Sequence, residues 1–100
     1  MIVVAGSFPV DVSKRDEIID AVNTMRAASL AEDGCHEYRF GFATDEPGTL
    51  LIIEEWRDQD ALSAHFATAH VATFGAQVGG FVTGAPALSR YEVTDKGPLR

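Results

Sequence analysis

The sequence predicts an α+β domain of the ferredoxin-like class, a four-stranded antiparallel sheet with element order βαββαβ and its helices on one face. One hundred residues, of which 46% are hydrophobic, suffice for a single core. Four segments have the composition of strands, and two regions have helical periodicity. The chain contains no internal repeat and no linker-like stretch. We therefore expect one domain over residues 1–94 and a flexible tail over residues 95–100.

The first strand and helix follow from residues 1–34. Residues 1–8 are β-branched and apolar at both parities, which predicts a strand buried on both faces. Ser13 and Asp16 have the spacing of a capping box, and Gly34 is the expected stop of the helix that follows. Apolar and small residues repeat along one face of this helix: Ile18, Val22, Met25 and Ser29.

The next two strands form a predicted hairpin. Residues 35–44 alternate, and the alternation places His36, Tyr38, Phe40 and Phe42 on one face. Residues 45–48 (Asp-Glu-Pro-Gly) are typical of a turn, and residues 49–57 form the third strand. This strand opens with four consecutive aliphatic residues, so it also lacks a polar face.

A broken helix and a last strand complete the pattern. Asp58 is the expected cap of a short helix that ends at Phe66, and Thr68 of a second helix. Glycines and a proline between residues 79 and 86 then predict a loop before a strand over residues 88–93.

Charge and cysteine content exclude several classes of function. The net charge of −7 repels phosphate backbones and anionic lipids, so neither nucleic acid nor membrane is an expected partner. No apolar run reaches the length of a membrane span, and the first residues lack the pattern of a signal peptide. A single cysteine rules out an internal disulfide, which favours a reducing, cytoplasmic location.

The strands predict a homodimer. Helices cover only one face of the sheet, yet the first and third strands are apolar at both parities. Burial of apolar surface contributes about 25 cal/mol per Å². We therefore expect the sheets of two copies to pack face to face and bury this surface. The alternative is a sheet face that stays partly exposed.

His65 and the pair Glu54 and Trp56 are the residues that could carry chemistry. His65 lies among core-directed residues, where it could act as a general base or bond only a backbone carbonyl at a helix end. Trp56 could line an aromatic pocket, and Glu54 could have a raised pKa or pair with an arginine such as Arg39 or Arg90. A core tryptophan beside a structural ion pair is the other interpretation.

A metal site and a bound cofactor are not expected. His70 lies five residues after His65, which is not the helical spacing of zinc ligands, and no close carboxylate is expected. Cys35 is interpreted as a small buried hydrophobe. The chain also lacks the glycine-rich and nucleophile motifs of nucleotide-binding proteins and hydrolases.

Short motifs spread along the chain resemble the antibiotic biosynthesis monooxygenase family. They are Glu54-Glu55-Trp56-Arg57-Asp58, Ala61-Leu62, Ala64-His65, Thr68-Ala69-His70, and Gly34-Cys35 with Tyr38. The resemblance implies a dimeric α/β barrel that uses neither metal nor flavin. In such enzymes a quinol or aromatic polyketide is deprotonated, and its anion reduces O₂ directly.

Within this family the two histidines, His65 and His70, resemble the quinol-monooxygenase-like branch. The polyketide-modifying branch has Asn and Tyr where this chain has Ile52 and Leu62. The heme-degrading branch has Asn, Trp and His at places that correspond here to Ser7, His65 and about Phe74. Neither of those reactions is therefore expected.

The resemblance implies a cofactor-independent monooxygenase that acts on a small aromatic or quinol. His65 would be the base or the partner of the oxyanion and Glu54 would assist it, with Trp56 and Phe66 as ring walls and Tyr38 and His70 as further substrate contacts. Two other functions stay open, a dimeric protein that only binds a small ligand and an isomerase of a small carbonyl compound.

Overall fold

A computed structural model describes all 100 residues, and its elements follow the predicted order. The strands are β1 (Ile2–Pro9), β2 (Cys35–Phe42), β3 (Thr49–Trp56) and β4 (Ala87–Glu92), and the helices are α1 (Arg15–Leu30), α2 (Gln59–His65) and α3 (Ala69–Val78). The strands lie in the order β2-β3-β1-β4, and every neighbouring pair is antiparallel. The predicted α+β, ferredoxin-like fold is confirmed.

The core lies between the sheet and the helices. Along β3 every second side chain is buried, from Leu50 through Ile52 to Trp56, because successive residues of a strand point to opposite faces. Helix α1 packs Ile18 and Met25 against this layer, as its apolar repeat predicts. None of the three helices has the length and apolar composition that a membrane span requires.

The start of α1 differs from the predicted capping box. A single 3-10 turn, Val12–Lys14, precedes the helix, and Asp11 caps it. The backbone N–H and the hydroxyl of Ser13 both donate to Asp11 Oδ1, at 3.0 and 2.7 Å. The Ser13 hydroxyl therefore bonds this carboxylate, and the helix begins two residues after it, at Arg15.

Gly34 has the predicted left-handed backbone, but the helix ends four residues before it, at Leu30. Its φ of +86° is strained for any residue with a side chain. A Cβ at Gly34 would also lie 2.7 Å from Ala61 Cβ in α2. This close approach lets the turn after α1 pack against α2, which brings Glu32 to the end of that helix.

The two caps that divide the second helical region are confirmed. The Asp58 side chain accepts from Ala61 N at 2.8 Å, and Thr68 Oγ1 accepts from Val71 N at 3.3 Å. Because the chain must leave the first helix to form the second cap, α2 ends at His65 and α3 begins at Ala69.

A bulge in β2 changes the predicted face of His36. Cys35 lies opposite Trp56 and Tyr38 opposite Glu54, so two residues of β2, His36 and Glu37, occupy the space of one. The side chain of Cys35 therefore shares the helix-facing side with Tyr38, and His36 is exposed. The prediction that His36 lies on the apolar face was wrong.

Candidate active site

His65 is the centre of a buried group of side chains between the sheet and the helices. It is the last residue of α2 and only 2% exposed. The imidazole packs on Trp56, with ring centroids 4.6 Å apart, and next to Tyr38, at 5.4 Å. Strands β3 and β2 supply these two aromatic rings, so sheet and helix together fix the histidine.

A carboxylate holds His65 from the other side. Glu32 Oε2 lies 2.5 Å from His65 Nδ1 and 2.8 Å from His70 Nε2. An ionised carboxylate only accepts, so in this arrangement both histidine nitrogens carry hydrogen. The partner of the His65 ring is therefore an acidic side chain rather than a backbone carbonyl, and the expectation of no carboxylate near His70 was wrong.

The second nitrogen of His65 faces Tyr38. Its Nε2 lies 3.5 Å from the Tyr38 hydroxyl. Burial lowers the pKa of His65, and the hydrogen bond that its Nδ1–H donates to Glu32 opposes this shift. Burial and the nearby Glu54 raise the pKa of Tyr38, so the phenol stays protonated. With Nδ1 protonated towards Glu32, a neutral His65 presents an unprotonated Nε2 on the side of the aromatic rings.

Glu54 is the second buried acid of the site. Its Oε1 accepts from Trp56 Nε1 at 2.8 Å, and burial raises its pKa to about 7. The predicted arginine partner is not found, because Arg39 pairs with Glu37 and the Glu54 carboxyl bonds the indole. An acid with this pKa is present in both protonation states near neutral pH.

Phe66 and Cys35 lie at the margin of this group. The Phe66 ring is 5.8 Å from that of His65, but residue Phe66 is 65% exposed. Burial raises the pKa of the Cys35 thiol to about 11, in agreement with its interpretation as a small hydrophobe.

The depression nearest to the site lies between α1 and α3. It has a volume of about 280 Å³, and His70 and Met25 are among the side chains that line it. None of the four depressions of the surface is lined by His65, Glu54 or Trp56. His70 is therefore the link between the surface and the buried histidine, through Glu32.

Glu32 is the residue of the site that sequence reasoning missed. It lies 33 residues before His65, in a turn whose acidic residues have the pattern of a solvated surface. The only local signal is Gly34, whose backbone allows the turn to pack against α2. Neither motif spacing nor periodicity reports such a contact.

Fold and site together define a small α+β protein with acid–base groups next to aromatic rings at the boundary of sheet and helices. The chain belongs to the antibiotic biosynthesis monooxygenase family, whose sequence profile matches residues 1–77. The resemblance that the motifs suggested is thereby confirmed.

Known proteins similar to this chain include both curated sequences and solved structures. Protein sll1783 of Synechocystis is 37% identical over 73% of this chain, which spans about half (50%) of that protein's length. A protein of Escherichia coli K12 named "Probable quinol monooxygenase YgiN" is 28% identical over 68% of this chain and 73% of its own. The structure of Rv0793 from Mycobacterium tuberculosis has a TM-score of 0.86, 27% identity, and coverage of 97% of this chain and 98% of its own.

Proposed function

We propose that this protein is a cofactor-independent monooxygenase of a small aromatic or quinol-type substrate. The observation that carries the proposal is a buried imidazole held by Glu32 at Nδ1, with Nε2 directed at aromatic side chains. Membership in the antibiotic biosynthesis monooxygenase family and the name of the Escherichia coli relative support the same class of reaction.

His65 is proposed as the general base. Its Nε2 removes a proton from a substrate hydroxyl that replaces the Tyr38 hydroxyl as its partner, and Glu32 stabilises the imidazolium that forms. The resulting anion supplies the electrons that reduce O₂. One oxygen atom enters the substrate, and the other leaves as water with two substrate hydrogens. The protein needs only to hold the ring, accept the proton and exclude water.

The other residues have supporting roles in this proposal. Trp56 and Phe66 flank the imidazole and hold the aromatic ring, and the Tyr38 hydroxyl hydrogen-bonds the developing oxyanion. Glu54, whose pKa is about 7, exchanges a proton with the site near neutral pH. His70 contacts the substrate at the entrance, because it alone of these residues lines a surface depression.

Oxygen consumption tests the proposal. Metal-free protein is mixed with a panel of hydroquinones and oxo-acids, under air and under nitrogen, and substrate loss is followed by mass spectrometry. We expect a quinol to be consumed under air and not under nitrogen. When ¹⁸O₂ replaces the oxygen of air, the product should contain one ¹⁸O atom. Equal turnover in both atmospheres indicates an isomerase, and saturable binding without turnover a binding protein. Either result contradicts the proposal.

The exposed face of the sheet supports a homodimer. Three apolar side chains of β3 and β4 lie on this face and are about half exposed: Leu51, Ile53 and Tyr91. With Ala5 and Gly41 they line a shallow depression of about 680 Å³ on the side opposite the helices. We propose that a second copy of the chain covers this face, because an uncovered apolar sheet surface favours self-association.

Leu51→Glu is expected to convert the dimer into a monomer. It places a charge in the middle of the apolar face, where Leu51 is 44% exposed, and dimerisation would bury that charge. Val12→Glu is the matched control, since Val12 is 52% exposed but lies outside the sheet. Light scattering at micromolar concentration should give twice the chain mass for the unmodified protein and the control. A monomeric unmodified protein contradicts the prediction.

A further inference from the structure

Three potential metal ligands converge at one edge of the buried site. Glu32 lies in the turn after α1, His65 is the last residue of α2, and His70 belongs to the first turn of α3. One ligand atom from each lies within 4.8 Å of the other two. Three separate elements thus bring two imidazoles and one carboxylate to a common point.

The donor set matches zinc. Two histidine nitrogens and one glutamate oxygen form a known three-ligand set for Zn²⁺, which leaves a fourth position to water or a ligand. Bonds of about 2.0–2.2 Å in a tetrahedron separate neighbouring ligand atoms by about 3.3 Å. The nitrogen–oxygen distances of 2.5 and 2.8 Å therefore need to widen by about 0.5–0.8 Å, which side-chain rotation can supply.

Tyr38 can hold the first histidine in the correct tautomer. Coordination through Nδ1 requires His65 to carry its hydrogen on Nε2, and the Tyr38 hydroxyl, 3.5 Å away, is placed to accept it. His65 Nδ1 and His70 Nε2 lose the hydrogens that they direct at Glu32 when the ion binds.

An ion can reach this point from outside. His70 and Glu32 are both partly exposed, and His70 lines the depression between α1 and α3. The net charge of −7 also favours the approach of a cation.

We propose that Glu32, His65 and His70 bind one Zn²⁺ ion per chain and that this ion inhibits the oxidation assigned to the site. Inhibition follows because a coordinated His65 carries its proton on Nε2 and cannot accept another from a substrate. This second half of the proposal rests on the proposed function, whereas binding of the ion does not.

Calorimetric titration of metal-free protein with ZnCl₂ at pH 7.5 tests the site. We expect one ion per chain, binding weakened about tenfold or more in Glu32→Gln and in His70→Ala, and no response to MgCl₂. His36→Ala removes an exposed histidine outside the cluster, and its titration should match that of the unmodified protein. Tetrahedral absorption bands with Co²⁺ give a second measurement of the same ligands.

The outcomes separate the two proposals. Unchanged titrations of Glu32→Gln and His70→Ala, or an equal loss in His36→Ala, overturn the zinc site. If zinc binds as expected and oxygen uptake falls as the site fills, both halves of the proposal are supported. Zinc binding in a protein that never consumes oxygen supports the site and contradicts the inhibition together with the proposed function.

Discussion

His65→Ala is expected to lower kcat for quinol oxidation about 10²-fold or more, the usual contribution of a positioned general base. The imidazole keeps an unprotonated Nε2 on the side of the aromatic rings, because Glu32 occupies its other nitrogen. The measurement is initial oxygen uptake in metal-free buffer, with KM determined separately. The loss should fall mainly on kcat, since the substitution leaves the proposed ring walls, Trp56 and Phe66, in place.

Two further variants make the His65 prediction specific. His65→Gln keeps a polar side chain of similar reach, so it should fold like the parent protein and stay inactive. His36→Ala removes an exposed histidine of β2 and should retain full activity. Activity of a folded His65→Gln protein within twofold of the parent would show that another group accepts the proton.

Glu54→Gln is expected to be more stable than the parent above neutral pH, by about 3 kcal/mol. Burial raises the pKa of Glu54 from 4.5 to about 7, so the folded state holds a proton that the unfolded state releases. The stability that this proton contributes is complete below pH 4.5 and is lost as pH rises through 7. The difference between these two pKa values corresponds to roughly 3 kcal/mol.

Urea unfolding of both proteins between pH 4 and pH 8.5, at one protein concentration, measures this difference. The difference in the free energy of unfolding between Glu54→Gln and the parent should be smallest below pH 4.5. It should grow between pH 4.5 and 7 and level off above about pH 8. Trp56→Phe is a control for the direction of the effect, because it removes the indole N–H that donates to Glu54 at 2.8 Å. Without this donor the pKa of Glu54 should rise further, so the loss of stability should occur at higher pH. A gap that is constant across the range would contradict a buried, protonated Glu54.

Much of the fold could be predicted because its signals are local. The apolar repeat along α1, the caps at Asp58 and Thr68 and the left-handed Gly34 each depend on a few neighbouring residues. Two of the errors also have local causes. At Ser13 the hydroxyl is bonded to Asp11, and near His36 a bulge shifts the alternation by one residue. A bulge has no composition of its own in this strand, so the pattern of side chains could not reveal it.

The candidate site could be predicted only one residue at a time. The motifs identified His65 and Trp56 on neighbouring elements, and the structure packs their rings 4.6 Å apart. Cys35 was also interpreted correctly, since its neighbours include no group that would stabilise a thiolate. The sequence did not indicate the partners that decide the chemistry, namely the indole of Trp56 for Glu54 and the carboxylate of Glu32 for His65.

The sequence by itself determined the α+β class, the element order and the identity of the central histidine, because periodicity, caps and short motifs act over a few residues. Only the tertiary structure decided which groups surround that histidine. Glu32 is separated from His65 by 33 residues and from His70 by 38, and it reaches both because Gly34 lets the turn after α1 pack against α2. Side chains that meet across such distances are selected by the packing of whole elements, which local sequence patterns do not encode.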